Sequence, residues 1–205
     1  MELQLNEAEA RVLGALIEKD MATPEYYPQS LNALTNACNQ KSSREPVVQY
    51  EESFVLSVLN DLRDKRLAGP ARAEGRVTKY EHYASNVLGL NNPQLAVIAV
   101  LLLRGPQTLA EIKERTNRLH SFEDLDAALS TLHRLIDRSM VKELPKHTGI
   151  KEPRFAHLLS GDVETYVPPA KEMASPDRIQ RLEEEVAELK RELMELKVKI
   201  EVLFS

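Results

Sequence analysis

The chain contains one cysteine and lacks any long apolar run, and both absences exclude classes of protein. Cys38 has no second cysteine with which to form an intrachain disulfide, which fits a reducing cytoplasm. No segment approaches the ~18–20 continuous apolar residues that a transmembrane helix needs. The first residues, Met-Glu-Leu-Gln-Leu-Asn, lack the basic start and apolar run of a secretion signal. We therefore expect a cytoplasmic protein that does not associate with membranes.

Catalytic and metal-binding signatures are also missing. The sequence contains no GxGxxG, P-loop, GxSxG or HExxH pattern. The histidines lack the spacing of metal ligands, and a single cysteine cannot build a zinc cluster. These histidines are His82, His120, His133, His147 and His157. The sequence therefore predicts a protein that is not an enzyme and that needs no metal or other cofactor.

The net charge of −5 is concentrated at the C-terminal end of the chain. Residues 160–205 carry 11 acidic and 7 basic side chains, so residues 1–159 contribute a net charge of only −1. Because this larger part is nearly neutral, nucleic-acid binding cannot be inferred from bulk charge and would depend on local basic patches.

The C-terminal residues contain consecutive heptads whose apolar side chains keep one seam of a helix facing a partner. The a and d positions are Ile179, Leu182, Val186, Leu189, Leu193, Leu196, Ile200 and Leu203. Mostly β-branched a residues with leucine at d favour a parallel dimer. Opposite charges would attract across such a dimer in three pairs, Arg178–Glu183, Glu185–Lys190 and Glu192–Lys197. We predict a homodimer formed through this helix; the alternative is an amphipathic helix folded back onto its own domain.

The preceding residues carry the same order of elements twice. In the first copy, Asn6 and Glu9 form a capping box, which predicts the start of a helix. Further helices are expected at 30–38 and 51–66, followed by two extended runs that end with 76–83. In the second copy we expect helices at 92–103, 108–117 and 122–138, the last capped by Ser121, and strands at 140–144 and 154–158.

Three helices followed by a two-stranded ribbon are typical of the winged-helix form of the helix-turn-helix motif. The sequence therefore predicts a mainly α fold with small β wings. We expect winged-helix domains at 1–86 and 87–160, a linker at 161–175 and a coiled-coil helix at 176–205.

Several segments resemble the YceH-like bacterial family over essentially the whole chain. They are Tyr27-Pro28, Ser30, Asn32, Ala37-Cys-Asn-Gln-Lys41, Arg44-Glu-Pro-Val47, Arg76-Val-Thr-Lys-Tyr-Glu81, Leu101-Leu-Leu-Arg-Gly105 and Leu159-Ser-Gly-Asp162. The resemblance implies a tandem winged-helix fold, similar in shape to transcription regulators. It implies no particular activity, substrate, cofactor or operator.

The third helices begin unfavourably for insertion into the major groove. The first starts with Glu51 and Glu52, and the second carries Glu123, Asp124 and Asp126 near its start. Carboxylates stabilise a helix N-terminus but repel phosphates. These helices therefore offer weak support for direct reading of bases.

Basic side chains elsewhere are better candidates for nucleic-acid binding. They are Lys41, Arg44, Arg72, Arg76, Lys79, Lys146, Lys151 and Arg154, most of them on the two wings. The wing arginines and Lys79 are expected to contact phosphates rather than bases. Alternatively, these groups are ordinary solvated side chains, because acidic residues are interspersed among them.

A polar loop between the second and third helices has no counterpart in the second copy. It contains Asn39, Gln40, Lys41, Arg44 and Glu45. Its amides could read base edges and its arginine could reach a phosphate. Alternatively, Asn39 caps the preceding helix and Arg44 pairs with Glu45.

The sequence is consistent with two functions. The first is a dimeric DNA-binding or transcription-regulator-like protein that takes duplex DNA as its partner. The alternative is a non-catalytic scaffold that binds a protein partner through its winged helices and coiled coil. Shared fold is only an analogy, so the decision depends on surface charge.

Overall fold

A computed structural model describes residues 4–72, 77–145, 152–163 and 191. The chain divides into two compact units, residues 1–166 and 167–205. All the heptad positions from Ile179 to Leu203, and residues 164–175 of the predicted linker, lie outside the described residues. The coiled coil and the dimer it would form stay predictions.

The first half of the larger unit, residues 4–82, contains three α-helices and three short strands. In chain order they are α1 (Glu7–Ala22), a 3-10 turn (Pro24–Tyr26), β1 (Gln29–Ser30), α2 (Leu31–Cys38), α3 (Glu52–Asp64), β2 (Ala68–Pro70) and β3 (Lys79–His82). The second half, residues 84–163, begins with one additional short helix and then repeats the order. Its elements are α4 (Ala84–Leu88), α5 (Asn92–Arg104), β4 (Gln107–Thr108), α6 (Leu109–Thr116), α7 (Leu125–Asp137), β5 (Val141–Leu144) and β6 (Arg154–His157).

Each half folds its strands into a three-stranded antiparallel sheet, in the orders β1-β3-β2 and β4-β6-β5. The prediction of two-stranded ribbons is therefore wrong by one strand in each half. Gln29 pairs with Tyr80, and Gln107 pairs with Phe155. The added strands are two residues long, too short to show the alternation by which strands are recognised in a sequence.

Helix starts follow the capping chemistry of the sequence. Both side chains of the Asn6–Glu9 box make their bonds to the backbone, and so do those of Thr108 and Glu111. The predicted start of the last helix at Ser121 is wrong, because Asp124 caps α7 by accepting a bond from the Ala127 N–H.

The two halves meet where α1 packs against α5, and their apolar side chains form one core. Gly14 lies at this contact. A Cβ atom added there would lie 3.0 Å from Leu103 Cγ and 3.1 Å from Leu102 Cβ. The absence of a side chain therefore lets the helices approach closely.

The expected class, mainly α with small β sheets, is confirmed. The domain boundaries stay predictions; α4 (Ala84–Leu88) extends across the expected boundary between residues 86 and 87. Across the described part of the chain, no helix combines the length and apolarity needed to cross a membrane.

Candidate nucleic-acid interface

Arg44 lies inside the first half, where it holds the loop between α2 and α3. Its guanidinium donates to both carboxylate oxygens of Glu18, at 3.0 and 2.6 Å, and to the carbonyl oxygen of Ala37 at 3.0 Å. The Arg44 side chain is 0% exposed. The prediction that Arg44 contacts a phosphate or a base is therefore wrong, and so is its predicted pairing with Glu45.

Arg44 also affects the acidity of Glu18. Burial acts to raise the pKa of Glu18, but the hydrogen bonds and charge of Arg44 outweigh burial and hold that pKa below its usual range. Two charges buried together need such close geometry to offset the cost of removing them from water. The Arg44–Glu18 pair thus fastens the loop to the end of α1.

Asn39 also has a structural role. Its side-chain amide donates to the carbonyl oxygen of Tyr50 and accepts from the Tyr50 N–H, both at 2.8 Å. Because these bonds hold its amide against the backbone, they argue against the predicted reading of bases by Asn39, whereas its place at the end of α2 is as expected. Gln40 is half-buried, and Lys41 and Glu45 are exposed. Cys38 is fully buried, and burial raises the pKa of its thiol to about 12.

The first sheet presents two exposed cations at one end of its hairpin. The Ala71 N–H donates to the Lys79 carbonyl oxygen at 2.8 Å, so Ala71 lies opposite Lys79 and the exposed Arg72 follows one position further along the chain. Within residues 4–72, 77–145 and 152–163, neither side chain has a hydrogen-bond partner or ion pair. Arg76, predicted to join them, lies outside the described residues.

Lys79 also lies beside a helix N-terminus. It pairs with Ser30, whose side chain caps α2. A shallow cavity of about 410 Å³ is lined by Lys79, Ser30, Ala33 and Lys19. The positive end of a helix favours anions, so this cavity has the charge that a phosphate group requires.

Among the residues that the structure describes, the second sheet offers fewer available cations. Arg154 donates to the Glu111 carboxylate and to the Pro106 carbonyl oxygen, both at 2.9 Å, and Lys142 pairs with Asp162. The pair with Glu111 argues against the predicted role of Arg154 as a phosphate contact. Lys146 and Lys151 lie outside the described residues.

The exposed faces of both third helices are acidic. On α3 they include Glu52, Asp61 and Asp64 against Arg63. On α7 the exposed charged residues are Asp126, Arg134 and Asp137, preceded by Glu123 and Asp124. These faces therefore lack the positive charge with which a recognition helix approaches DNA, in line with the weak support that their sequences gave.

One group of cations could not be recognised from the sequence. Lys19, Lys41, Arg104, Arg115 and Arg118 line a single cleft, here called the cationic cleft. They come from α1, the loop after α2, α5, α6 and the residues after α6, so only tertiary packing brings them together. The signal in the sequence was limited to basic residues near helix ends.

The described residues contain no group of three or more histidine, cysteine, aspartate or glutamate side chains placed to hold a metal ion. The buried polar atoms without a hydrogen-bond partner there are Arg11 Nε, His157 Nδ1 and Ser160 Oγ.

Comparison with known proteins places the chain in a family. The family model described as "Protein of unknown function, DUF480" matches residues 5–150. The chain belongs to this family. It is 51% identical over 196 residues to a UPF0502 protein of Solibacter usitatus, covering 93% of this chain and 95% of the relative. It is 50% identical over 208 residues to a UPF0502 protein of Pelobacter propionicus, covering 96% and 95%. The family relationship expected from the resemblance is confirmed.

Proposed function

We propose that this DUF480-family protein is a non-catalytic, DNA-binding protein of the transcription-regulator type. Its two halves act as winged-helix domains, and its C-terminal helix makes it a homodimer. The first sheet contacts backbone phosphates, and the third helices do not read bases.

The observation that carries the proposal is the pair of exposed cations, Arg72 and Lys79, at one end of the first hairpin. In winged-helix proteins the corresponding hairpin is the wing that lies against the DNA backbone. Lys79 adjoins the N-terminus of α2 through its pairing with Ser30, which adds a second favourable feature for a phosphate group. Contacts of this kind supply affinity and orientation without sequence information.

A second candidate function, a protein-interaction scaffold, is favoured by the exposed face of α3. Phe54 is 45% exposed and Leu56 is 37% exposed, and Glu52 and Asp61 are exposed on the same helix. Exposed apolar side chains on a helix that also carries exposed carboxylates suit a protein partner with basic residues better than they suit DNA. On this alternative, Phe54→Ser would abolish association with that partner and leave duplex affinity unchanged.

The test is fluorescence anisotropy of the full chain with a labelled duplex of mixed sequence, titrated from about 50 to about 200 mM salt. We expect micromolar or tighter binding that weakens steeply as salt rises, because phosphate contacts release counterions. Arg72→Ala/Lys79→Ala should weaken binding and flatten the logarithmic salt slope by about 2. Absence of binding at the lowest salt would contradict the proposal and leave the scaffold as the better account.

A further inference from the structure

The cationic cleft is large enough for a small molecule and lies where the two halves meet. Its volume is about 440 Å³, within the range of roughly 300–1,000 Å³ for ligand sites. Thr23, Ser42 and Ser43 line it from the first half, and Arg104 and Leu119 line it from the second. An occupant would therefore contact both halves at once.

Positive charge exceeds negative charge in this cleft. Five cationic side chains line it, and the one carboxylate among its lining residues is Glu18. Both oxygens of Glu18 are already bonded to Arg44, which lies behind it. Next to the lining, Glu111 pairs with Arg115 at 3.3 Å and with Arg154 at 2.9 Å. Glu45, which also acts electrostatically on Arg104, is exposed to solvent.

At the ends of α2 and α5, other donors already bond the carbonyl groups near these cations. Basic residues near a helix C-terminus ordinarily neutralise its carbonyl groups, but here other donors fill that role. The Leu103 carbonyl oxygen accepts from the Glu45 N–H at 2.9 Å, and that of Val100 accepts from Gln107 Nε2 at 2.9 Å. The Cys38 carbonyl oxygen accepts from the buried Arg11 guanidinium at 3.1 Å.

Three of the cations consequently have unused hydrogen-bonding capacity. Among the residues that the structure describes, Lys41, Arg104 and Arg118 make no hydrogen bond or ion pair. Arg104 is half-buried, and burial together with the neighbouring charge of Arg115 lowers its pKa. An anion bound here would stabilise the charged Arg104 guanidinium, because a hydrogen bond to a charged acceptor is stronger than a hydrogen bond between neutral groups.

The rest of the lining indicates the kind of anion. Ser42 and Ser43 offer hydroxyl donors, and the left-handed backbone of Ser43, with φ of 60°, turns the loop at this point. Ala22 and Leu119 are half-buried apolar residues of the same cleft. Such a combination suits an anionic group that is attached to an apolar body.

We propose that the cationic cleft binds a small phosphate ester. Its phosphate group lies among Lys41, Arg104 and Arg118, and its apolar part lies against Ala22 and Leu119. The cleft adjoins the cavity beside Lys79, because Lys19 and Thr23 line both. Its phosphate-binding cations are different residues from the wing cations, so the proposal does not depend on DNA binding.

The test is calorimetric titration of the full chain, at constant ionic strength, with phenyl phosphate and with inorganic phosphate. We expect both to bind, phenyl phosphate several-fold more tightly because its ring covers Leu119. Arg104→Ala/Arg118→Ala should weaken both by at least about tenfold. Lys113→Ala/Arg134→Ala, which removes the same charge elsewhere in the second half, should leave both affinities unchanged.

Three results would overturn the proposal. The first is the absence of saturable binding, and the second is equal weakening by the two double variants. The third is displacement of phenyl phosphate by duplex DNA together with loss of duplex binding in Arg104→Ala/Arg118→Ala, which would assign the cleft to the DNA backbone. Arg118→Gln, at an exposed position, provides the same comparison if the double variant does not fold, as judged by circular dichroism.

Discussion

His82 and His157 occupy the same place in the two sheets, at the end of the central strand. His82 pairs across the sheet with Ala68, and His157 pairs with Val141. Nδ1 of His82 accepts from the Ala84 N–H, and its Nε2 lies 3.1 Å from an Asp20 carboxylate oxygen. Nδ1 of His157 is buried and has no partner among the described residues. The same backbone position is therefore stabilised by polar contacts in one half and not in the other.

Other features are shared, which shows where the common framework lies. After α3, Arg66 has a left-handed φ of 61°, and after α7, Ser139 has one of 55°. The Leu67 N–H then donates to the Leu62 carbonyl oxygen at 2.8 Å, and the Met140 N–H donates to that of Leu135 at 2.9 Å. Helix ends and strand pairing are thus repeated, because they depend on backbone bonds and a few apolar side chains.

The polar anchors differ most between the halves. In the first half, Arg44 is buried against Glu18 and fixes the loop of residues 39–51, which is longer than its counterpart of residues 117–124 in the second half. In the second half, Arg154 pairs with Glu111 near the surface, where the two side chains are 20% and 28% exposed. The halves share a backbone plan and have been stabilised by separate polar contacts.

The largest expected difference comes from removing these two arginines. Arg44→Ala leaves the Glu18 carboxylate partly buried without its partner, so we expect a loss of about 3–5 kcal/mol in the free energy of unfolding. Arg154→Ala breaks a pair near the surface and should cost only about 1 kcal/mol. Urea denaturation followed by circular dichroism would measure both. Equal losses would show that burial does not distinguish the two anchors.

The second difference is in pH dependence. Burial lowers the pKa of His157 from 6.5 to about 4. Because the unfolded chain binds the proton more readily, the stabilisation is complete above pH 6.5 and declines as pH falls towards 4. We expect a loss on the order of 2–3 kcal/mol over this interval.

The matched variants for this effect are His157→Gln and His133→Gln. The first should remove most of the loss of stability between pH 6.5 and 4, and the second, at an exposed site on α7, should leave it in place. Urea denaturation at several pH values would measure both. A pH profile unchanged by His157→Gln would contradict the assignment.

Structural features could be predicted from the sequence where the residues in contact are close together along the chain. The capping boxes of Asn6 and Thr108 involve residues three apart, and both helix starts were predicted correctly. The start of α7 was predicted wrongly, because Ser121 and Asp124 are both good capping residues and Asp124 is the one that caps the helix.

The candidate sites were harder to predict because they depend on residues far apart in the chain. Arg44 bonds to Glu18, 26 residues earlier, and nothing in its neighbourhood distinguishes a buried arginine from an exposed one. The cationic cleft joins residues from four helix ends, which no periodic pattern records. Lys79 and Arg72 were predicted as exposed wing residues because the hairpin that holds them is local.

The asparagines at the ends of α2 and α6 give a smaller difference. Asn39 bonds twice to the Tyr50 backbone, so Asn39→Ala should cost about 1–2 kcal/mol. Asn117 is exposed, and its side chain makes no hydrogen bond among the described residues. Asn117→Ala should therefore change the free energy of unfolding by less than about 0.5 kcal/mol. Thermal unfolding of the two variants would measure this difference. A loss of stability in Asn117→Ala as large as that in Asn39→Ala would contradict the prediction.

The smallest effect tests what the halves share. Arg66→Gly and Ser139→Gly each place glycine at a left-handed helix end, where it avoids the strain of a side chain. Each should raise the free energy of unfolding by about 0.5–1 kcal/mol. Chemical denaturation of both variants would check this, and opposite signs would show that the two helix ends are not equivalent.

The most direct test of the account compares the halves as DNA-binding surfaces. The salt slope of duplex binding by the full chain would be measured for Arg72→Ala/Lys79→Ala and for Lys113→Ala/Arg134→Ala, which remove the same charge from different halves. We predict that the first flattens the slope by about 2 and that the second leaves it unchanged. Equal flattening by both, or no binding by the unaltered chain, would contradict the claim that the first sheet contacts DNA phosphates.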